Sequence, residues 1–440
     1  DRITSGLGSS RIYLSVSTDS TPTNLTTDWT KYIIDRTGTH TGTGGTTFPD
    51  YPKLGVNDEA IYITGNDFGI AGGGLSHVSL FAIEKGPLLT GGPANIVYDE
   101  VIPGAFSVHP VINFDPGAPM RFAEAQGSTG IRIHTLSDVL TAPTRTTETV
   151  NVPTFFFPPD VPQQGGPVLD SVSERIMSGV VRDGSLWTAH AIVDPAVDTE
   201  TVMRWYEFDV SGAASLVQNG NVDPGPGIHT WMGHVNVDND GDMAIIFSMS
   251  GPTQFAGIGY TGRLATDPLG TTRPVETARA GEGPYSRFDS IGRNRWGDYS
   301  GLAIDPDGES FWLYNEYAAS GNNWGTFVGS FQVEPAGTAV ADVDTYEISL
   351  ASGQQIGLST LTPFDDPIDG LNLLDPSLEV LDPSGASVAF DSGSAADGKN
   401  ASLPTFTAGA AGVYKVIVAA EDDGDGEYAV SYTHLRAHET

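Results

Sequence analysis

The chain has 440 residues, of which 39% are hydrophobic, with 54 glycines, 29 prolines, no cysteine and a formal net charge of −34 from 55 acidic and 21 basic residues. The missing cysteine excludes disulfides, thiolate catalysis and zinc–thiolate sites. A surface this acidic repels nucleic acid and anionic lipid. No apolar run approaches the roughly 20 residues a membrane helix needs, so neither nucleic-acid binding nor membrane insertion is expected.

The chain opens at Asp1 without a methionine and reaches the strand-like "RIYLSVST" by residue 11, which reads as the start of a mature or truncated product. "WTKYIID" follows as a second strand of an incomplete first unit. From there, short runs rich in Val, Ile, Tyr, Phe and Trp alternate with Gly, Pro, Asn and Asp turns, the pattern of an all-β fold.

The runs repeat. "DYPKLGVNDEAIYITGNDF" (50–68), "SERIMSGVVRDGSLWTAHAI" (173–192), "TWMGHVNVDNDGDMAIIFSMS" (230–250) and "RWGDYSGLAIDPDGESFWLYNEY" (295–317) share one grammar: apolar strand, acidic or Asn/Gly turn, apolar strand. A degenerate copy occupies 107–126. "LDSVSERIMSGVV" (169–181) also parallels "FDSIGRNRWGDYSGLA" (288–303), with aspartate, serine, a basic residue and glycine in the same order. Units of three to four strands repeating every 50–70 residues or so predict a β-propeller of about six blades, the first incomplete, over 1–335. A linker is expected at 335–340. A small β-sandwich of shorter alternating strands is expected over 336–433. "HLRAHET" (434–440) brings basic residues into a chain poor in them and reads as a non-native tail.

The last domain resembles the bacterial pre-peptidase C-terminal (PPC) domain, through "DVDTYEISLASGQQIGLS" (342–359), "DPSLEVLDPSGASVAFDS" (375–392), "LPTFTAGAAGVYKVIVAA" (403–420) and "GEYAVSY" (426–432). That resemblance implies export, because such modules trail many secreted bacterial hydrolases. The first 335 residues resemble secreted bacterial propellers of sialidase-like (BNR-type) layout, through "LSVSTDS", "DWTKY", "DYPKLGV", "RWGDYSGLAIDP", "FWLYNEY" and "WGTFVGSF". "AIDPDGESFW" and "VRDGSLW" carry the aspartate, glycine and aromatic residue of the S-x-D-x-G-x-T-W box at different spacing.

A sialidase-like hydrolase needs arginines for a substrate carboxylate, a tyrosine nucleophile with a carboxylate base, and an acid. Arg295, Asp298 and Tyr299 are the catalytic candidates, and Arg293 can add to the arginine set. Asp50, Tyr51, His109, Arg175, His190, His234 and Glu316 are binding candidates at the entries of the innermost strands or beside them. Equivalent Tyr and Asp residues after a turn are also what repeated structural hydrogen bonding produces. His229 and His234 differ by an odd number and face opposite ways in regular β, and no H-E-x-x-H occurs. "DNDGD" places Asp238, Asp240 and Asp242 at alternate positions, as calcium loops do, and equally as a hairpin turn does. "EDDGDGE" (421–427) poses the same choice. No cofactor is required by the sequence, and calcium is the one ion it accommodates. Two readings stay open: a secreted or cell-surface monomer binding an extracellular polysaccharide, glycoconjugate or protein, and a glycoside hydrolase or lyase acting on acidic sugars.

Overall fold

The computed structural model describes residues 2–4, 9–37, 41–42, 45–69, 74–333, 343–361, 376–392, 400–420 and 429–435. The expected linker, the acidic loop 421–427 and residues 436–440 lie outside them. The chain divides into two compact units, Asp1–Val333 and Glu334–Thr440. Among the described residues it is all-β apart from one five-residue helix, Lys85–Leu89.

In the first unit, six antiparallel meanders follow one another in chain order. The first has three strands, Arg2–Thr4, Ser9–Ser17 and Trp29–Asp35, one more than the sequence suggests. Four-stranded meanders then begin at Gly45–Val56, His109–Pro110, Ile176–Arg182 and His229–Val237. The last is Gly301–Ile304, Phe311–Ala319 and Asn323–Phe331. Turn chemistry sets the hairpins. Asp183 and Gly184 both adopt positive φ, 51° and 75°, as a two-residue hairpin requires, and Asp115 accepts both of their N–H groups.

Consecutive meanders share apolar cores. Ile12, Leu14 and Ile34 of the first pack on Ile63, Phe81 and Ile83 of the second. A larger cluster joins the second, third and fourth, another the fourth and fifth, and a smaller one the fifth and sixth. A strand buried on both faces reads as a continuous apolar run, and every residue of Met243–Gly251 is buried. The first strands adjoin. Ile112 bridges Val56 and Val180 in parallel register, and a Cβ at Gly55 would lie 2.3 Å from the Val111 carbonyl oxygen. Register shifts interrupt three of these first strands, between Asp50 and Lys53, Ile176 and Ser178, and Trp231 and His234. Such bulges re-aim the side chains they carry.

The second unit has two sheets. One orders Val343–Leu350, Gly412–Ala420, Pro376–Leu381 and Ser387–Ser392; the other orders Ser402–Thr407, Gln355–Leu361 and Ala429–Leu435. Leu350, Ile356, Leu378, Phe406, Tyr414 and Val416 close the core between them. The last strand runs past the expected end at 433, with His434 and Leu435 pairing Ile356 and Gln355. The strand-forming pattern therefore extends two residues into the segment read as a tail.

Candidate functional site

The segment 295–300 is an irregular lead-in to the short strand Gly301–Ile304 and not a strand itself. Trp296 anchors it from below: its ring is buried against Trp231 and Tyr285, and its indole N–H donates to Ser248 Oγ at 3.0 Å. The Gly297 N–H donates to Glu316 Oε1 at 2.8 Å. A side chain at 297 would collide with that carboxylate, since a Cβ there lies 2.5 Å from Glu316 Oε2. With Trp296 held inward, Arg295, Asp298 and Tyr299 are presented on the other side.

They meet a cavity of about 450 Å³ whose walls include Asp50, Tyr51, Arg175, Arg293, Arg295, Asp298 and Tyr299, with Asn66, Phe68, Phe106 and Val172. Tyr51 sits in the Asp50–Lys53 bulge at φ 55° and stacks on Tyr299 with centroids 5.1 Å apart. Its hydroxyl donates to the Asp298 main-chain oxygen at 3.0 Å, and the Tyr299 hydroxyl donates to the Pro52 carbonyl at 3.3 Å. Burial pushes the Tyr51 phenol up to about 12, against the opposing pull of Arg175. Tyr299 is raised as well, by burial first and by Tyr51 and the nearby carboxylates second. Both phenols are therefore protonated over the ordinary pH range, and both hydroxyls are committed to backbone carbonyls.

The three arginines differ in their partners. Arg295 holds both oxygens of Asp298 at 2.7 Å and lies 3.5 Å from Asp170. Arg293 pairs with Asp289 at 2.8 Å and lies 3.7 Å from Asp170. Arg175 has no carboxylate within ion-pair distance among the described residues. Its Nε–H donates to Ser173 Oγ at 2.7 Å, and its guanidinium lies over the rings of Tyr51 and Phe106 at 4.8 and 5.1 Å. The Asp298 carboxyl is raised above its ordinary value, chiefly by burial, while Arg295 and Arg175 pull it down and Asp170 and Asp50 push it up. Beneath Tyr51, the buried Lys53 ammonium donates to the Ser107 and Ile176 carbonyls, and burial holds it well below its ordinary value.

Seven of the sequence candidates thus line one cavity: Asp50, Tyr51, Arg175, Arg293, Arg295, Asp298 and Tyr299. The other binding candidates sit elsewhere. His190 is buried in the core, where Nδ1–H donates to the Glu174 carbonyl and Nε2 accepts from the Tyr206 hydroxyl. His109 donates through Nδ1 to the Pro110 carbonyl at 2.7 Å, and His234 through Nδ1 to the Ser300 carbonyl at 2.9 Å. Glu316 supports the backbone of Gly297 and is raised by burial. The bulge at Trp231–His234 breaks the alternation assumed for His229 and His234, yet the two still serve separate partners: His229 accepts from the Thr201 N–H.

The three metal candidates form a turn. Asp238 Oδ1 accepts the N–H groups of Asp240 and Asp242, and Asp242 Oδ1 accepts that of Ala265. Among the described residues no three His, Asp or Glu side chains are grouped to hold a metal ion.

Sequence reasoning missed Asp170, Lys53, Phe106 and Val172. The signal for Asp170 was present in the 169/288 parallel. Asp170 Oδ1 accepts the Val172 N–H at 2.9 Å, as Asp289 Oδ1 accepts the Ile291 N–H at 3.0 Å, so the parallel encodes one turn built twice. Arg293 lies within reach of both aspartates.

Residues 342–420 match the bacterial pre-peptidase C-terminal domain, so the second unit carries that module. No curated protein sequence matches the chain. Among solved structures, the chain is similar to a protein of unknown function from Dyadobacter fermentans, at 10% identity and TM-score 0.38 over 85% of this chain and 95% of that one. A subtype N10 neuraminidase-like protein of A/little yellow-shouldered bat/Guatemala aligns at 9% identity and TM-score 0.35, covering 84% and 94%. An alpha-L-arabinanase of Penicillium chrysogenum, solved with arabinobiose, aligns at 10% identity and TM-score 0.36, covering 64% and 92%.

Proposed function

We propose that the first unit is a six-bladed β-propeller that holds an acidic sugar of an extracellular glycan in the arginine-lined cavity, within a secreted bacterial protein. The propeller reading is supported by six sequential meanders whose cores are shared in succession and whose first strands adjoin. Export is supported by the PPC module.

One observation carries the ligand assignment: Arg175, Arg293 and Arg295 converge on one cavity in a chain with only 21 basic residues and a net charge of −34. Guanidinium groups match a carboxylate with paired, charge-assisted hydrogen bonds. Arg175 is the one of the three with no ion pair among the described residues, backed by the Tyr51 and Phe106 faces that leave part of its N–H edge for a ligand. Tyr51 and Tyr299 form a stacked aromatic wall against which a sugar ring can lie. Neither phenol is paired with a side-chain carboxylate that could act as its base, so binding stands ahead of tyrosine-mediated hydrolysis.

A second reading, hydrolysis or elimination at an acidic sugar, is favoured by Asp298. It is a half-buried carboxyl with a raised pKa in the cavity, electrostatically coupled to Asp50, which is how an acid and base pair is prepared.

A panel of glycans ending in sialic or uronic acids and their neutral counterparts, measured by calorimetry and for product release, tests both. Acid-dependent binding that drops at least tenfold in Arg175→Ala supports the first reading, and equal affinity for neutral and acidic glycans overturns it. Product release that is lost in Asp298→Asn establishes the second.

A further inference from the structure

We infer that the arginine cavity is the first of two connected subsites, and that a recess beside it takes the sugar attached to the acidic one. The inference rests on the acidic-sugar reading of the first cavity. The recess, about 290 Å³, is lined by Phe157, Ala125, Ser173 and Glu174 together with Phe106, Val172 and Arg175. The last three also line the first cavity, so the two share a wall. A ligand longer than one ring crosses it without leaving the surface.

The chemistry of the two halves differs in a way that selects a particular ligand. The first half presents guanidinium groups. The second presents Phe106 and Phe157, large aromatic side chains left 41% and 61% exposed. Exposed aromatic faces at the rim of a polar cavity are costly in water unless they are covered, and a pyranose covers them with its apolar C–H face. Glu174 supplies the polar complement. It lines the recess, and its Oε2 is buried with no hydrogen-bond partner among the described residues. That oxygen is shut off from solvent, so a sugar hydroxyl donates to it once the Glu174 side chain turns toward the recess. Arg175 borders both cavities whereas Arg293 and Arg295 line only the first, so in the recess Glu174 faces a single guanidinium, which favours a neutral hexose over a second acidic residue.

The dividing wall is built under strain. Val172 adopts φ 70°, a conformation that β-branched residues rarely hold. Asp170 imposes it by accepting the Val172 N–H at 2.9 Å, while its other oxygen faces Arg293 and Arg295 at 3.7 and 3.5 Å. Ser173 then holds Arg175. One aspartate therefore shapes the wall and adds a carboxylate beside two of the arginines, whose closer partners are Asp289 and Asp298. Strain kept at such a point marks a surface shaped for a ligand.

The test is calorimetry on the full chain with N-acetylneuraminic acid and with glucuronic acid, each against its disaccharide with a neutral hexose. The expected result is that one disaccharide binds at least tenfold more tightly than its own acid alone. In Phe157→Ala that advantage disappears while the affinity for the monosaccharide is unchanged, which also reports that the variant is folded. Equal affinity for the disaccharide and the monosaccharide overturns the second subsite and leaves the first standing. A Phe157→Ala loss that is the same for both ligands also overturns it. If neither acid binds alone or in a disaccharide, the acidic-sugar reading itself fails and the second subsite falls with it.

Discussion

The hydroxyl of Tyr51 donates to the main-chain carbonyl of Asp298 at 3.0 Å, across 247 residues of sequence. The reciprocal bond, from Tyr299 to the Pro52 carbonyl, is the same distance apart in sequence, and the two rings stack between them. The pair ties the second meander to the lead-in of the sixth and sets the floor of the cavity.

Removing one hydroxyl tests that tie. Tyr51→Phe keeps the stack and loses a hydrogen bond between partly buried groups, so unfolding free energy should fall by about 1 kcal/mol. Tyr51→Ala also loses the ring and should cost about 3 kcal/mol or more. Urea unfolding followed by tryptophan fluorescence measures both, and acidic-sugar affinity should fall with Tyr51→Ala more than with Tyr51→Phe.

The arginines are expected to separate ligand binding from stability. Arg175→Ala breaks no ion pair, so its melting temperature should stay within a few degrees of wild type while acidic-glycan affinity drops 10- to 100-fold. Arg295→Ala leaves the half-buried Asp298 carboxylate without the guanidinium that holds both its oxygens. It should cost about 1 kcal/mol of stability and raise the Asp298 pKa further. Carboxyl titration by NMR in the two variants distinguishes the roles.

The buried histidine and the buried aspartate predict opposite pH responses. The His190 imidazole is pushed down to about 4 by burial, below its ordinary 6.5. Between those values the unfolded chain binds the extra proton, so the contribution of His190 is complete above about 6.5 and is lost as pH falls toward 4. Asp238 is pushed up to about 6, again chiefly by burial, from an ordinary 3.8. Its contribution is present below 3.8 and is lost as pH rises through 6. Thermal unfolding from pH 4 to 8 should therefore flatten at the acid end in His190→Gln. In Asp238→Asn, which keeps the acceptor for the Asp240 and Asp242 N–H groups, stability near pH 7 should rise relative to wild type.

Gly55 tests the close approach of the inner strands. An alanine there puts its Cβ 2.3 Å from a carbonyl oxygen that belongs to the strand connection and cannot swing aside. Overpacking of this kind costs about 1–3 kcal/mol, more where backbone is the obstacle. A drop in the urea midpoint with no change in slope is the expected reading.

Much of the architecture was legible from local chemistry. Turn residues such as Asp183–Gly184 and the apolar runs around them mark the hairpins, because φ > 0 at two successive positions and burial on both faces leave strong compositional traces. The 169/288 parallel likewise records a real turn, since an aspartate that accepts the N–H two residues on is a local device. The histidines were harder. His190 and His234 look like site residues in sequence because nothing local distinguishes a ligand from an imidazole satisfied by a distant carbonyl. Phe106 and Val172 left no trace as site residues, since an apolar side chain in a loop reads the same whether it is core or rim.

The sequence by itself determined that the chain is all-β, that it repeats, that its second part resembles a PPC module and that Arg295, Asp298 and Tyr299 are candidates at a strand's entry; that they lie on an irregular lead-in was decided by the structure. The first two depend on periodicity, turn chemistry and composition, which act over a few residues, and the third on the resemblance of residues 342–432 to a known module. Only the tertiary structure decided that Arg175, Arg293 and Arg295 share one cavity, that Tyr51 closes it from 247 residues away, and that Arg175 alone of the three makes no ion pair among the described residues. Those facts depend on which inner strands adjoin and where bulges aim their side chains, and that is set by packing across the whole first unit.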